Sequence, residues 1–232
     1  MSSAKKLIKR LMWGTLAVIF IYQLWIISQL FWYRTHNPTS TAFMRHRLSE
    51  LQEQNPGAKL QQKWISYEAI SPALKRAVIS AEDARFVQHD GFDLGGIETA
   101  YLQDLKQGKI VAGGSTITQQ LAKNLFLSAS RNPIRKIEEA LIAIMIEQIM
   151  SKRRIFELYL NLIEWGNGVF GAEAAAQHYY AVSASQLGSY QSARLAAMIP
   201  NPRFYDKVRS TARLSRKTGI IQDRMPTAWI PK

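Results

Sequence analysis

The chain has 232 residues, a formal net charge of +13 and no cysteine. Its length suits one domain plus an appendage, while the missing thiols exclude disulfides, cysteine nucleophiles and cysteine-ligated zinc. The cationic excess calls for an anionic partner. Without zinc-finger spacings, an RRM-type aromatic signature or basic heptads, that partner is acidic lipid or a phosphorylated substrate, with no nucleic acid.

Lys5, Lys6, Lys9 and Arg10 precede an uncharged run from Leu11 to Tyr33. At ~1.5 Å per residue a helix over that run crosses the ~30 Å hydrocarbon core of a bilayer. Trp13, Trp32 and Tyr33 stand where interfacial aromatic belts lie. The run exceeds a signal-peptide core, and no small-x-small cleavage site follows Tyr33, so a retained transmembrane helix is expected over 11–33. The cations before it make 1–10 a cytoplasmic tail and place the body on the opposite side.

Residues 34–60 are polar, with turn signals at Asn37-Pro38 and Asn55-Pro56-Gly57. They read as a juxtamembrane stalk with a short helix over 43–54, leaving 61–232 as the main domain. Ser71-Pro72 supplies an N-cap and an N1 proline for a helix through Ser80, with Glu82 and Asp83 at its C-terminal end. Apolar spacings of three and four predict helices over 116–127, 134–150, 152–163, 171–180 and 190–198. No strong alternating strand appears. The fold is therefore expected to be mainly α, on a membrane stem. Residues 200–232, rich in Pro, Arg and Lys, read as loop and short helix with a solvated basic face.

Three polar clusters stand out. Residues 82–93 gather Glu82, Asp83, Asp90 and Asp93 with Arg85 and His89. In the second, Gly113-Gly114 permits a tight turn, Ser115 is a natural N-cap, and Thr116, Gln120, Lys123 and Asn124 share one helical face beside Gln119. Such a helix start, with free N–H groups and a lysine, suits an anion and sugar site; taken alone it reads equally well as an outward polar face. In the third, Arg135 lies one turn before Glu139, able to pair with it, and the apolar remainder of the helix draws Glu139 and Glu147 inward.

The order Glu-Asp-x-x-Phe-x-x-His-x-Gly-Phe-Asp at 82–93, Gly-Gly-Ser-Thr-Ile-Thr-Gln-Gln-Leu-x-Lys-Asn at 113–124 and Arg-Lys-x-x-Glu at 135–139 resembles the peptidoglycan glycosyltransferases of glycosyltransferase family 51. The stretches 152–161 and 166–171 agree, so the resemblance runs from Trp64 to Pro202. With no transpeptidase domain following, it is to the family's monofunctional members.

The resemblance implies a lysozyme-like helical fold in the bacterial inner membrane, single-pass, with a periplasmic catalytic domain. It implies polymerisation of lipid II by inverting β-1,4 transfer from an undecaprenyl-diphosphate-linked chain. Glu82 is then the general base, and Glu139 the second catalytic carboxylate near the leaving diphosphate. The substrate-binding set is Asp83, Phe86, His89, Ser115, Thr116, Gln119, Gln120, Lys123, Asn124 and Arg135.

No protein metal site is expected; Mg2+ or Mn2+ enters only as an optional companion of the diphosphate. The expected partners are lipid II, the lipid-linked glycan, membrane lipids, and cell-wall synthesis and division proteins. Independently of the family, a sugar hydroxyl needs a carboxylate base, whose pKa Asp83 would raise, and a departing diphosphate needs cations such as Lys123 and Arg135. Leu125-Phe126-Leu127 and the loop 131–133 are expected to meet the bilayer.

Two departures from the family pattern fall late, at Tyr179-Tyr180-Ala181-Val182 and around Gln191. A membrane-bound lytic transglycosylase or muramidase, and a non-catalytic cell-wall scaffold, are the alternatives. The cationic platform disfavours the first and the intact Glu82 and Glu139 the second.

Overall fold

The computed structural model describes residues 3–93, 95, 114–128 and 132–232. They form two compact units, 1–38 and 39–232. The first is a single helix, α1 (Ser3–Tyr33), in which Lys5–Tyr33 is long and apolar enough to cross a membrane.

The second unit is helical. Among the described residues it contains α2 (Ala42–Gln54), α3 (Pro72–Glu82), α4 (Ile117–Phe126), α5 (Pro133–Ile149), α6 (Lys152–Leu162), α7 (Ala172–Tyr180), α8 (Ser189–Met198), α9 (Pro202–Lys207) and α10 (Ala212–Arg224). Local chemistry sets the boundaries. Ser71 caps α3, accepting from the Ala73 N–H at 3.2 Å, with Pro72 in the first turn; Asn132 and Ser151 cap α5 and α6 in the same way. A small sheet of order β1-β3-β2 joins Gln61–Gln62 (β1), Glu164–Gly166 (β2) and Val169–Phe170 (β3), with β1 parallel and β2 antiparallel to β3. Strands this short carry no alternation signal, so the sequence pattern passed over them.

Two packing layers position the site. The helices α4, α5 and α6 pack on one another, burying Ile117, Leu121, Ile142, Ile146 and Phe156. On the other side α3, α8 and α10 pack together around Leu74, Val78, Leu195, Leu214 and Ile221. Phe86 lies fully buried with its ring centroid 5.6 Å from that of Phe156.

Three expectations are corrected. The body begins near Thr39, well inside the expected stalk. Arg47 of α2 is buried, donating from Nε to Glu164 Oε1 at 3.1 Å and from Nη2 to Asn167 Oδ1 at 2.9 Å, and α2 packs on α4. The C-terminal segment contains the thirteen-residue helix α10, whose Leu214, Thr218 and Ile221 form a buried stripe. Leu125 and Leu127 belong to the core and are not available to a bilayer, while Phe126 between them is half-buried. Arg131, in the loop expected beside them, lies outside the described residues.

Candidate active site

Glu82 is the last residue of α3 and is half-buried. Its Oε2 accepts from Gln120 Nε2 at 2.9 Å, and Gln120 Oε1 accepts from the Tyr159 hydroxyl at 2.9 Å. The two contacts fix the orientation of the Gln120 amide. Burial raises the Glu82 pKa; the Gln120 hydrogen bond and the Lys217 charge oppose this, and Asp83 adds a smaller upward push. The anticipated effect of Asp83 is therefore present but secondary to desolvation. Burial, reinforced by Glu82 and Asp83, drives the Tyr159 pKa well up, so its hydroxyl remains a donor.

Asp83 does different work. Its Oδ1 lies 2.8 Å from His89 Nε2, and its Oδ2 accepts from the Ile117 N–H at 3.0 Å. A carboxylate at the end of α3 thus caps the start of α4, where the helix dipole favours an anion. The N-cap residue of α4 is Thr116, not Ser115. Thr116 Oγ1 accepts from the Gln119 N–H and donates to the Gly91 carbonyl at 2.6 Å, while Gln119 Oε1 accepts from the Thr116 N–H at 3.0 Å.

The expected free N–H groups are therefore largely spoken for. Asp83, Phe86, His89, Thr116 and Gln119 build the walls and hold α3 against α4; Phe86, fully buried, presents no surface to a substrate. Ser115 accepts from Lys136 Nζ at 3.0 Å. Asp90 is exposed, and Asp93 pairs with Arg85 at 3.2 Å. Gly113 lies outside the described residues.

Gln120, Lys123, Asn124 and Arg135 do come together, in a cleft of about 460 Å3 that also takes in Phe43, Glu164, Pro200, Asn201 and Arg203. Asn124 is nearly buried, its Nδ2 donating to the Gln120 carbonyl at 2.8 Å. Arg135 Nη1 lies 2.8 Å from Glu139 Oε2, while its buried Nε has no hydrogen-bond partner. Lys136 engages the other oxygen of Glu139, so this buried carboxylate is shared by two cations. Among the described residues no group of three or more His, Asp or Glu is placed to hold a resident Mg2+ or Mn2+. The cleft offers cationic side-chain donors to an anion, with Glu164 as the one carboxylate of its lining, 3.7 Å from Arg203.

Four residues of the site were missed or given no role in the sequence reading. Tyr159 and Lys136 sit inside motifs that were recognised only as strings. Arg203 and Lys217 fall in the segment read as loop and short helix, and the sequence offers no local signal that Lys217 acts electrostatically on Glu82.

A cleft lined by cations, a half-buried carboxylate at its edge and a helical body define an enzyme site for a polar, anionic substrate. The family model described as Transglycosylase matches residues 47–226. A biosynthetic peptidoglycan transglycosylase of Methylobacillus flagellatus is 61% identical over 229 residues, covering 97% of this chain and all of that protein. Proteins of the same name from Nitrosospira multiformis and Chromobacterium violaceum are 59% and 54% identical, covering 93% and 97% of this chain and 94% and 99% of their own lengths. The chain belongs to the transglycosylase family, and it is a glycosyltransferase.

Proposed function

We propose that this chain polymerises lipid II into peptidoglycan glycan strands, working at the outer face of the bacterial inner membrane with α1 as its single anchor. The observation that carries the reading is Glu82: a half-buried carboxylate with a raised pKa, oriented by Gln120, beside a cleft containing Lys123, Arg135 and Arg203. A base of this kind suits a sugar hydroxyl, and the cations suit a diphosphate leaving group.

In the reaction the 4-hydroxyl oxygen of the acceptor sugar forms the bond to the anomeric carbon of the donor. Glu82 takes the hydroxyl proton. The anomeric carbon–oxygen bond to the lipid diphosphate breaks on the opposite face, and its electron pair leaves with the diphosphate, so configuration inverts from α to β. Lys123, Arg135 and Arg203 hold the charge that develops there. Glu139, shared by Arg135 and Lys136, serves by fixing those cations and not by donating a proton. A divalent cation, if used, arrives with the diphosphate.

Membrane lipid is the second partner in this reading. Its contact on the body is the outer face of α5, where Ile134, Ile137, Leu141 and Ile144 recur at three- and four-residue spacing and are all exposed.

The test is incubation of the purified full chain with lipid II, with Glu82→Gln in parallel. Glycan polymer from the wild type and none from the variant is the expected result. No polymer from the wild type, or shortening of preformed glycan, overturns the reading.

A further inference from the structure

One wall of the cation cleft, formed by Pro200, Asn201, Pro202 and Arg203, leads into α9, a helix of only six residues. A helix this short does not hold its shape unaided, because the cost of nucleation outweighs its few internal hydrogen bonds. Its N-cap residue, Asn201, makes no capping hydrogen bond through its side chain. Arg203 does not fix the wall either. It is 51% exposed and makes no hydrogen bond among the described residues, and its ion pairs with Glu50 and Glu164 run at 3.8 and 3.7 Å. The position of this wall is therefore set from elsewhere.

The anchors lie at the other end of α9. Tyr205 is buried, and Asp206 beside it joins separate parts of the fold. Asp206 Oδ2 accepts from the Asn167 N–H at 2.9 Å, in the turn between β2 and β3. Its Oδ1 lies 2.7 Å from His178 Nε2, near the end of α7. Arg209 Nη2, just beyond α9, lies 3.5 Å from the same oxygen. Burial alone would raise the Asp206 pKa, but the hydrogen bonds from His178 and the Asn167 N–H bring it below the ordinary value.

The clasp is closely fitted. A Cβ placed on Gly166 would stand 3.2 Å from the Asp206 carboxylate and 2.6 Å from the Tyr179 hydroxyl, so β2 runs flush against it. Asn167 is gripped from its other side as well, its Oδ1 accepting from Arg47 Nη2 at 2.9 Å. Arg47 also holds Glu164, the carboxylate that faces Arg203. The turn that Asp206 binds is thus tied to the cleft, while Asp206 itself is not part of the cleft lining.

We propose that Asp206 is a positioning residue for the donor diphosphate: by clasping the end of α9 to the β2–β3 turn and to His178, it places Arg203 in the cation cleft. The assignment rests on the polymerisation reading above, in which Arg203 helps to hold the departing diphosphate. Asp206 touches no substrate and acts only through Arg203. The effect of losing it must therefore vanish once Arg203 is gone.

The test is a double-mutant cycle on the full chain. A lipid-linked tetrasaccharide with its terminal 4-hydroxyl blocked can only donate, and its extension by lipid II is followed while each substrate is varied in turn. Asp206→Ala and Arg203→Ala are each expected to raise the donor KM about tenfold, with kcat and the KM for lipid II within about threefold. The double variant is expected to match Arg203→Ala within about twofold, where independent effects would multiply to about a hundredfold. If Asp206→Ala folds poorly, His178→Ala decides, since it removes one half-buried holder of the carboxylate and leaves the bond to the Asn167 N–H. It is expected to raise the donor KM about threefold, and only while Arg203 is present.

A folded Asp206→Ala with unchanged donor KM overturns the proposal. So does a double variant with the multiplied loss, which is what a merely structural Asp206 would give. Where His178→Ala decides, an unchanged donor KM in it has the same force. A wild-type enzyme that extends nothing sinks the polymerisation reading itself; a wild type that extends normally beside any of those results sinks only the role of Asp206.

Discussion

Gln120 and Glu82 are joined by a 2.9 Å hydrogen bond, although one belongs to α4, the helix that begins the cation platform, and the other ends α3. The base and the platform are thus positioned by one amide, itself held by the Tyr159 hydroxyl.

Loss of that amide should be visible in the pH profile. Its hydrogen bond favours the charged form of Glu82, so Gln120→Leu lets burial push the pKa higher still. Activity requires the carboxylate and is lost as pH falls through its pKa. The acid limb of kcat/KM should therefore move to higher pH in the variant, with kcat down about tenfold from misplacement of the base. A pH-rate series on lipid II polymerisation checks both effects; an unmoved acid limb would detach Gln120 from the base.

Asp83 is expected to matter more to stability than its neighbour. Asp83→Ala leaves the Ile117 N–H uncapped and His89 Nε2 without its buried partner. The cost should be about 2–4 kcal/mol in urea denaturation. Glu82→Gln, which removes a desolvated charge, should be neutral or slightly stabilising near neutral pH, and that gain should fade on acidification as wild-type Glu82 takes up its proton. Equal destabilisation by the two substitutions would refute the division of labour.

Acid should loosen the body through Glu173. Burial alone would raise its pKa, but the Ala184 N–H at 2.8 Å, the Ser183 hydroxyl at 3.0 Å, the Gln177 side chain and the Lys63 charge together bring it below the ordinary value of 4.5. A depressed folded pKa contributes stability above the unfolded pKa and loses it as pH falls through the folded one. Thermal unfolding should show Tm falling below pH 4.5, and Glu173→Gln should flatten part of that fall while lowering Tm at pH 7. Parallel pH curves for the two proteins would count against this.

The exposed stripe on α5 makes its own prediction. Ile134 is 78% and Ile137 64% exposed, far beyond what an apolar helix face tolerates by accident. Residues 39–232 form a compact unit and allow a flotation assay without α1. Ile137→Glu with Leu141→Glu should reduce their recovery with liposomes several-fold, at unchanged Tm because neither side chain is in the core. Full recovery would leave the stripe unexplained.

Most helices were legible because their spacing and caps are local. Ser71-Pro72, the apolar rows of α5 and α6, and the Arg135–Glu139 pair need only one turn of chain to be read. What escaped was long-range. No periodicity announces that Asp83 caps a helix beginning at Ile117, and this turned several expected substrate ligands into wall-builders. The helix α10 hid behind its own Arg and Lys, since a row of only Leu214, Thr218 and Ile221 gives a weak apolar signal; Lys217 hid with it. Arg47 looked like stalk because its partners, Glu164 and Asn167, arrive only when the sheet forms.

The closed start of α4 has a further consequence. Backbone donors at a helix terminus grip an anion in one rigid pose, and here Asp83, Thr116 and Gln119 have already used the backbone N–H groups of residues 116, 117 and 119. Recognition of charge is left to long, jointed side chains such as Lys123 and Arg203. Such arms can follow a charged group that shifts within the cleft, a freedom that a rigid nest of backbone donors would deny it.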